Sequence, residues 1–108
     1  MNNKVLTLLG FAAKSGNLSY GFEATLTAIK QKKAKTVLTA CDLSEKSLKE
    51  IAYFCKTFEI QHIMLEDIDI FTLTNAVGRK CGIVSVNDKG FSDALGKANF
   101  VGGNANDK

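Results

Sequence analysis

The side chains that most often carry catalysis or bind metals are sparse in this chain. It contains three cysteines, Cys41, Cys55 and Cys81, and one histidine, His62. The cysteines are odd in number and far apart, so they match neither a disulfide framework nor a CxxC metal site, and they are predicted to be buried, reduced thiols. One histidine without an HExxH spacing cannot build a histidine-based zinc site. We therefore predict no metal centre and no cysteine nucleophile.

Residues 90–97, GFSDALGK, come nearest to a nucleotide-binding loop. That motif has four residues between its glycines and a Ser or Thr after its lysine, whereas this segment has five residues and then Ala98. Phe91 and Leu95 are four positions apart, which predicts a helix that ends at a glycine. The acids of residues 66–69 are interpreted as helix caps rather than a catalytic pair. We expect no enzyme, no cofactor and no small-molecule substrate.

The strongest remaining candidate is an anion site at the start of a predicted helix. Gly21 opens this helix, where free backbone N–H groups and the positive end of the dipole attract phosphate. Gly21 has no Cβ and allows close approach, Lys14 lies shortly before it, and Glu23 could accept hydrogen bonds from a guanine or cytosine edge. The alternative is that Gly21 only makes a turn and Glu23 only caps the helix.

Charge is unevenly distributed along the chain, although the formal net charge is only +3. Residues 1–41 contain six lysines and one acid, whereas residues 42–69 contain seven acids and three lysines. This polarity is typical of a protein that binds a polyanion on one side. Alternatively, the lysines of KQKKAK, residues 30–35, complement the dipole at a helix C-terminus.

The chain must position these residues within one globular domain. It has 108 residues, 45% of them hydrophobic and 23% charged, which is the balance of a folded protein. We predict a domain over residues 1–100 and a flexible tail over residues 101–108. The longest apolar stretch is too short to span a bilayer, and the N-terminus lacks the features of a secretory signal. A cytoplasmic location without membrane contact is expected.

The apolar spacing predicts helices and extended segments in alternation. Helices are predicted over residues 3–14, from Gly21 through the lysines, from Asp42 or Ser44 to about 58, from Asp67 to near Gly78, and after residues 87–90. Extended segments are predicted over residues 17–20, 36–41, 60–65 and 81–86. This alternation predicts a three-layer α/β/α sandwich around a small sheet that is mostly parallel or mixed. Of these two, we expect a mixed, four-stranded sheet.

Three longer motifs give the chain a family resemblance. In order, they are LLGFAAKSGNLSYG, AIKQKKAKTVLTACDLSEKSLKEI and NAVGRKCGIVSVNDKGF. They resemble the bacterial YlxQ-like branch of the L-seven-Ae/L-thirty-e ribosomal protein superfamily over roughly residues 4–95. The resemblance implies an α/β/α sandwich and non-catalytic binding of kink-turn RNA, a sharply bent duplex with sheared G·A pairs. The implied partners are structured RNA, including ribosomal RNA, and the ribosome.

The resemblance also implies which residues bind the RNA. Recognition in the family comes mainly from the start of the second helix, and a second contact comes from an apolar loop beside the RNA minor groove. The positions that match these two contacts, together with plausible backbone contacts, are Lys14, Gly21, Phe22, Glu23, Thr27, Lys30, Ala76, Val77, Gly78, Arg79 and Lys80. For Phe22, the helical phase favours packing inward over stacking on a base.

Two positions differ from the stronger RNA binders of the superfamily. Ala24 stands where a carboxylate acceptor is common, and Thr27 stands where a lysine is common. A threonine cannot reach a phosphate as a lysine does. These differences motivate a second hypothesis, in which the same fold is a protein-interaction module whose acidic middle segment is the contact face.

Overall fold

The computed structural model describes residues 3–104, and side chains are described for residues 4–98. Five helices and four strands alternate in this part of the chain. They are α1 (Asn3–Lys14), β1 (Leu18–Tyr20), α2 (Gly21–Lys30), β2 (Thr36–Thr39), α3 (Glu45–Thr57), β3 (Gln61–Met64), α4 (Ile70–Val77), β4 (Ile83–Val86) and α5 (Lys89–Asn104).

The four strands form one mixed sheet in the order β1-β4-β2-β3. Strand β4 is antiparallel to both β1 and β2, whereas β2 and β3 are parallel. Tyr20, the last residue of β1, pairs with Val84 of β4. Because β1 is an edge strand, the junction between β1 and α2 lies at a margin of the sheet.

Side-chain alternation in the strands separates two apolar cores, one on each face of the sheet. In β2, Val37 packs with α2 and α3, and its neighbour Leu38 packs with α1, α4 and α5. Ile83 and Val84 of β4 divide in the same way. The predicted three-layer α/β/α sandwich with a four-stranded mixed sheet is confirmed.

Three helices begin at a side chain that accepts a backbone hydrogen bond, as N-caps do. Ser44 accepts from Ser47 N–H at the start of α3, and Asp88 accepts from Phe91 N–H at the start of α5. Asp69 caps α4 by accepting from the N–H group of Thr72. The predicted start at Asp67 is therefore two residues early, and Asp42, the other candidate cap for α3, serves α4 instead.

Several predicted ends of helices and segments are wrong. Helix α2 stops at Lys30, so most of the predicted lysine-rich last turn lies beyond the helix. Helix α5 does not end at Gly96, because its backbone continues to Asn104. The predicted flexible tail therefore begins within a helix, and its residues 105–108 lie outside the described residues. Of the three cysteines predicted to be buried, Cys41 is exposed.

Candidate functional site

An open depression of about 630 Å³ lies where the C-terminal ends of α1 and α4 meet the junction between β1 and α2. We call it the groove. Three of its four segments, α1, β1 and α2, follow one another in the chain, and the end of α4 is distant from them. Its lining residues are Ala13, Gly16, Leu18, Ser19, Tyr20, Ala24, Val77, Gly78 and Arg79. Only three of these nine, Val77, Gly78 and Arg79, are among the residues predicted to bind RNA.

The start of α2 lies at the edge of the groove and has no side-chain cap. Tyr20 occupies the N-cap position in an extended conformation and its side chain makes no cap hydrogen bond, nor does another side chain within residues 4–98 accept one from the first turn. Gly21 follows with a φ of +88°, a left-handed value that glycine adopts readily and other residues rarely do. A Cβ at Gly21 would meet no atom within 4 Å. The backbone angle, rather than space, therefore requires this glycine.

Arg79 places a positive charge at the rim of the groove. Its guanidinium carbon lies 4.9 Å from the centre of the Tyr20 ring, which is the geometry of a cation–π contact. Arg79 is exposed, and no ion pair to an acid is found for it within the described part of the chain. The ring thus holds the guanidinium beside the start of α2 while its N–H donors stay available to an anion.

The end of α4 forms the opposite wall, and it differs from the predicted apolar loop. Ala76 and Val77 belong to the last helical turn, and Val77 is buried in the core. Gly78 ends the helix with a φ of +81°. The exposed connection is therefore Gly78 to Lys80, and Val77 reaches the groove only as part of its floor. A Cβ on Gly10 of α1 would lie 3.4 Å from the carbonyl oxygen of Ala76, so the two helices pack closely here.

The other predicted site residues do not line the groove. Phe22 packs with the core between α2 and α3, so its predicted role at the RNA site has no support in the side-chain position. Lys30 lies nine residues beyond Gly21, about 13 Å along the helix, and its Nζ lies 5.3 Å from the centre of the Phe54 ring. Lys14, Glu23 and Thr27 are exposed but line no part of the groove.

Sequence analysis missed Tyr20 and the small residues at the end of α1. Tyr20 is an aromatic residue directly before a glycine that opens a helix, and this position is the signal that could have identified it. Gly16 has a φ of +78°, so it turns the chain from α1 into β1. No local pattern marks Ala13 or Gly16 as groove residues.

The buried thiols and the histidine have structural surroundings. Burial raises the pKa of the Cys55 thiol to about 11 and also raises the pKa of Cys81, so both are protonated at neutral pH. Burial lowers the pKa of His62, whose Nε2 lies 3.0 Å from the hydroxyl of Thr39. This pair joins β3 to β2, and none of the three groups reaches the groove.

Within residues 4–98, no three His, Cys, Asp or Glu side chains are close enough together to hold a metal ion. None of the described helices combines the length and the apolarity that a membrane crossing requires.

Comparison with known proteins identifies the family of the chain. The model of the ribosomal protein L7Ae/L30e/S12e/Gadd45 family matches residues 3–96, which include all four segments of the groove. The chain belongs to this family. The match confirms the family resemblance drawn from the three sequence motifs.

Two relatives within the L7Ae/L30e/S12e/Gadd45 family match most of the chain. The RNA-binding protein YlxQ of Enterococcus faecium is 29% identical over 89 residues, which cover 82% of this chain and 84% of that protein. The large ribosomal subunit protein eL30 of Yarrowia lipolytica is 32% identical over 89 residues, which cover 81% of each chain. The YlxQ match agrees with the predicted bacterial branch.

Solved structures agree with the fold. A protein of unknown function from Bacillus halodurans is 26% identical and superposes with a TM-score of 0.84, covering 88% of this chain and 95% of its own. The Giardia lamblia 15.5kD RNA binding protein superposes with a TM-score of 0.76 at 14% identity, covering 89% of this chain and 82% of that protein's chain. The α/β/α arrangement is thus that of the family.

Proposed function

We propose that this protein binds structured RNA at the groove and does so without catalysis. The relatives that cover most of the chain include a protein named for RNA binding and a ribosomal subunit protein. One observation of this chain carries the proposal. The first turn of α2 has no side-chain cap, and it lies beside a cation that an aromatic ring holds in place. Free N–H groups and a fixed cation together make a phosphate site.

Residues in and beside the groove contact two parts of the RNA, its phosphate backbone and its base edges. The N–H groups at the start of α2 and the guanidinium of Arg79 hold phosphates, which fixes the position of the RNA. Glu23, exposed in the first turn of α2, accepts hydrogen bonds from the amino groups of an exposed base edge. Lys14 and Lys80, exposed near the two walls, add attraction to the backbone.

A bent RNA suits this arrangement better than a straight duplex. The groove has two walls, α2 on one side and the segment Gly78 to Lys80 on the other, so the RNA must present backbone to both. A-form duplexes are recognised largely by shape, and bends open base edges to side chains. We therefore propose a kink-turn or a similar bend in ribosomal RNA as the partner. A cytoplasmic location and association with the ribosome are part of the same proposal.

Ala24 is consistent with this role because it lines the groove with a small side chain. Thr27 lies one turn beyond Glu23 and supplies no charge. We expect Arg79 to provide the cationic contact that a lysine at position 27 would make.

A titration with a kink-turn RNA tests the proposal. The protein is titrated against this RNA and against the same RNA with its G·A pairs replaced, at several salt concentrations. We expect the first RNA to bind at least ten times more tightly than the second, because only the bent form reaches both walls.

The Glu23→Ala and Arg79→Ala double variant is the matching protein control. It removes one base contact and one phosphate contact, so the preference for the bent RNA should be lost. Equal affinity of wild type and double variant for the kink-turn would contradict the groove as the site. Weak binding that depends steeply on salt and ignores the G·A pairs would contradict specific recognition and favour the protein-interaction hypothesis.

A further inference from the structure

A second basic surface lies at the other end of α2, where the chain runs into β2. Lys32, Lys33 and Lys35 are all exposed there. We call these three residues the lysine corner. Lys32 and Lys35 line a depression of about 360 Å³ together with Glu59, the one acid in its wall. No ion pair joins any of the three lysines to an acid within the described residues. The corner therefore presents positive charge to solvent.

Lys32 occupies a left-handed backbone position just beyond the end of α2. The N–H of Lys33 donates to Ala28 O at 2.9 Å and the N–H of Lys32 donates to Ile29 O at 3.0 Å. These two bonds form a Schellman motif, whose left-handed residue is usually glycine. Lys32 occupies that position with a φ of +62° and Glu59 occupies the same position after α3 with a φ of +57°, whereas α4 ends at Gly78. A lysine at this position supplies a cation that a glycine cannot.

The exposed face of α2 connects the groove to the lysine corner. Glu23, Thr27 and Lys30 are exposed and follow each other at i, i+4 and i+7, so they form one stripe along the helix. The helix has ten residues, which corresponds to about 15 Å. Beyond Glu23 the stripe carries no acid. An anionic rod held at the start of α2 can thus pass along this stripe from Glu23 to the lysine corner, where Glu59 is the one acid in the wall of the depression.

We propose that the lysine corner binds the phosphate backbone of an RNA stem that leaves the groove along α2. This inference rests on the proposed function, because the groove holds the RNA end from which the stem extends. The lysine corner adds a second contact that forms only with a long enough stem and does not depend on base sequence. B-DNA rises about 3.4 Å per base pair and an A-form RNA stem rises less, so about five base pairs of RNA span the length of α2 between the two contacts.

Stem length is the variable that tests this contact. Kink-turn RNAs are prepared in which one of the two stems has about 4 or about 12 base pairs and the other stem is held constant. The experiment is then repeated with the other stem varied. The dissociation constant of each RNA is measured at several salt concentrations. The test variant combines Lys32→Gly, Lys33→Gln and Lys35→Gln. The matched control combines Lys4→Gln, Lys46→Gln and Lys97→Gln, which removes the same charge from exposed lysines outside the corner.

The expected result is specific to the RNA with one lengthened stem. The test variant should lose about tenfold in affinity for that RNA, and its slope of log affinity against log salt should fall by about two to three, because each phosphate contact contributes close to 0.9. Its affinity for the short-stem RNA should match that of the control variant. Lys32→Gly alone should melt no lower than wild type, because glycine suits the left-handed position, so misfolding cannot explain its weaker binding.

Three other outcomes are informative. If wild type binds the long and short stems equally and the test variant matches the control, the lysine corner makes no stem contact, and binding at the groove stands. If the test variant loses affinity equally for both RNAs, the corner acts only through general attraction, and the inference is overturned. If wild type binds neither RNA, the proposed function itself fails.

Discussion

The starts of α2 and α4 solve the same physical problem in opposite ways. Each helix leaves backbone N–H groups without partners in its first turn. At α4, two carboxylates accept these groups: Asp69 Oδ1 lies 2.8 Å from Thr72 N, and Asp42 Oδ1 lies 2.8 Å from Ile70 N. At α2, no side chain does so, and Tyr20 stands where a cap would be. We call the capped start of α4 the closed start and the uncapped start of α2 the open start.

The two helix starts therefore use the helix dipole differently. At α4 it stabilises the fold, and at α2 it is available to bind an anion. The closed start joins the loop after β2 to α4 and contributes to folding. The open start faces a groove with a cation on its rim, so its N–H groups are free for an anion. Helices α3 and α5 are capped by Ser44 and Asp88 and resemble α4 in this respect. The uncapped start is therefore a feature of α2 among the four helices that begin within the described side chains.

Closing the open start should give the largest effect. Tyr20→Asp places an N-cap carboxylate at α2, which accepts the free N–H groups and repels phosphate. We expect affinity for the kink-turn RNA to fall about a hundredfold, or roughly 2.7 kcal/mol, the scale of hydrogen bonds to a charged group. Binding is measured by titration well below the melting temperature.

Tyr20→Phe is the control for that variant, since it keeps the ring beneath Arg79 and adds no acceptor. It should bind RNA as wild type does. If Tyr20→Asp bound RNA normally, the open start of α2 would have no part in recognition.

Removing the cation from the rim should have a smaller effect. Arg79→Ala should weaken RNA binding about tenfold, because one phosphate contact and its salt dependence are lost. Arg79→Lys keeps the charge but gives up the planar stacking on Tyr20, so its affinity should lie between the two. An unchanged salt slope for Arg79→Ala would show that this guanidinium touches no phosphate.

Opening the closed start should change stability and leave RNA binding intact. The Asp42→Ala and Asp69→Ala double variant removes both acceptors from α4 and should lower the melting temperature by several degrees. Its RNA affinity at 25 °C should equal that of wild type. Weaker binding by the folded variant would mean that the two helix starts are not functionally separate.

Acid should reduce the contribution of the closed start. The Thr72 N–H bond holds the pKa of Asp69 below its usual value of 3.8. A carboxyl group whose pKa is lowered by folding stabilises the fold above its unfolded pKa, and this contribution is lost as the pH falls through the folded pKa. The difference in melting temperature between wild type and Asp69→Ala should therefore be constant near pH 7 and narrow below about pH 4. A gap that stays constant down to pH 2 would contradict the charged cap.

The element order and the layered fold were predictable because their signals are local. Apolar spacing identifies α1 and the buried strands within a few residues, and the glycine at position 21 marks the start of α2. Cap positions were harder to assign. Asp42 is three residues before Glu45 in the chain, but its carboxylate accepts a hydrogen bond from the N–H of Ile70 in α4, 28 residues away. Local pattern cannot distinguish these two uses.

The sequence by itself determined the sandwich, the glycine-opened helix and the uneven charge, all of which depend on neighbouring residues. Only the tertiary structure decided that Tyr20 meets Arg79 and that Val77 forms part of the groove floor. The inward packing of Phe22 was already favoured by its helical phase. The groove is built from segments that lie up to 66 positions apart, Ala13 and Arg79 being its first and last residues. Such a site exists only once the sheet order brings β1 beside β4 and packs α1 against α4, because side-chain contacts depend on distance in space and not along the chain.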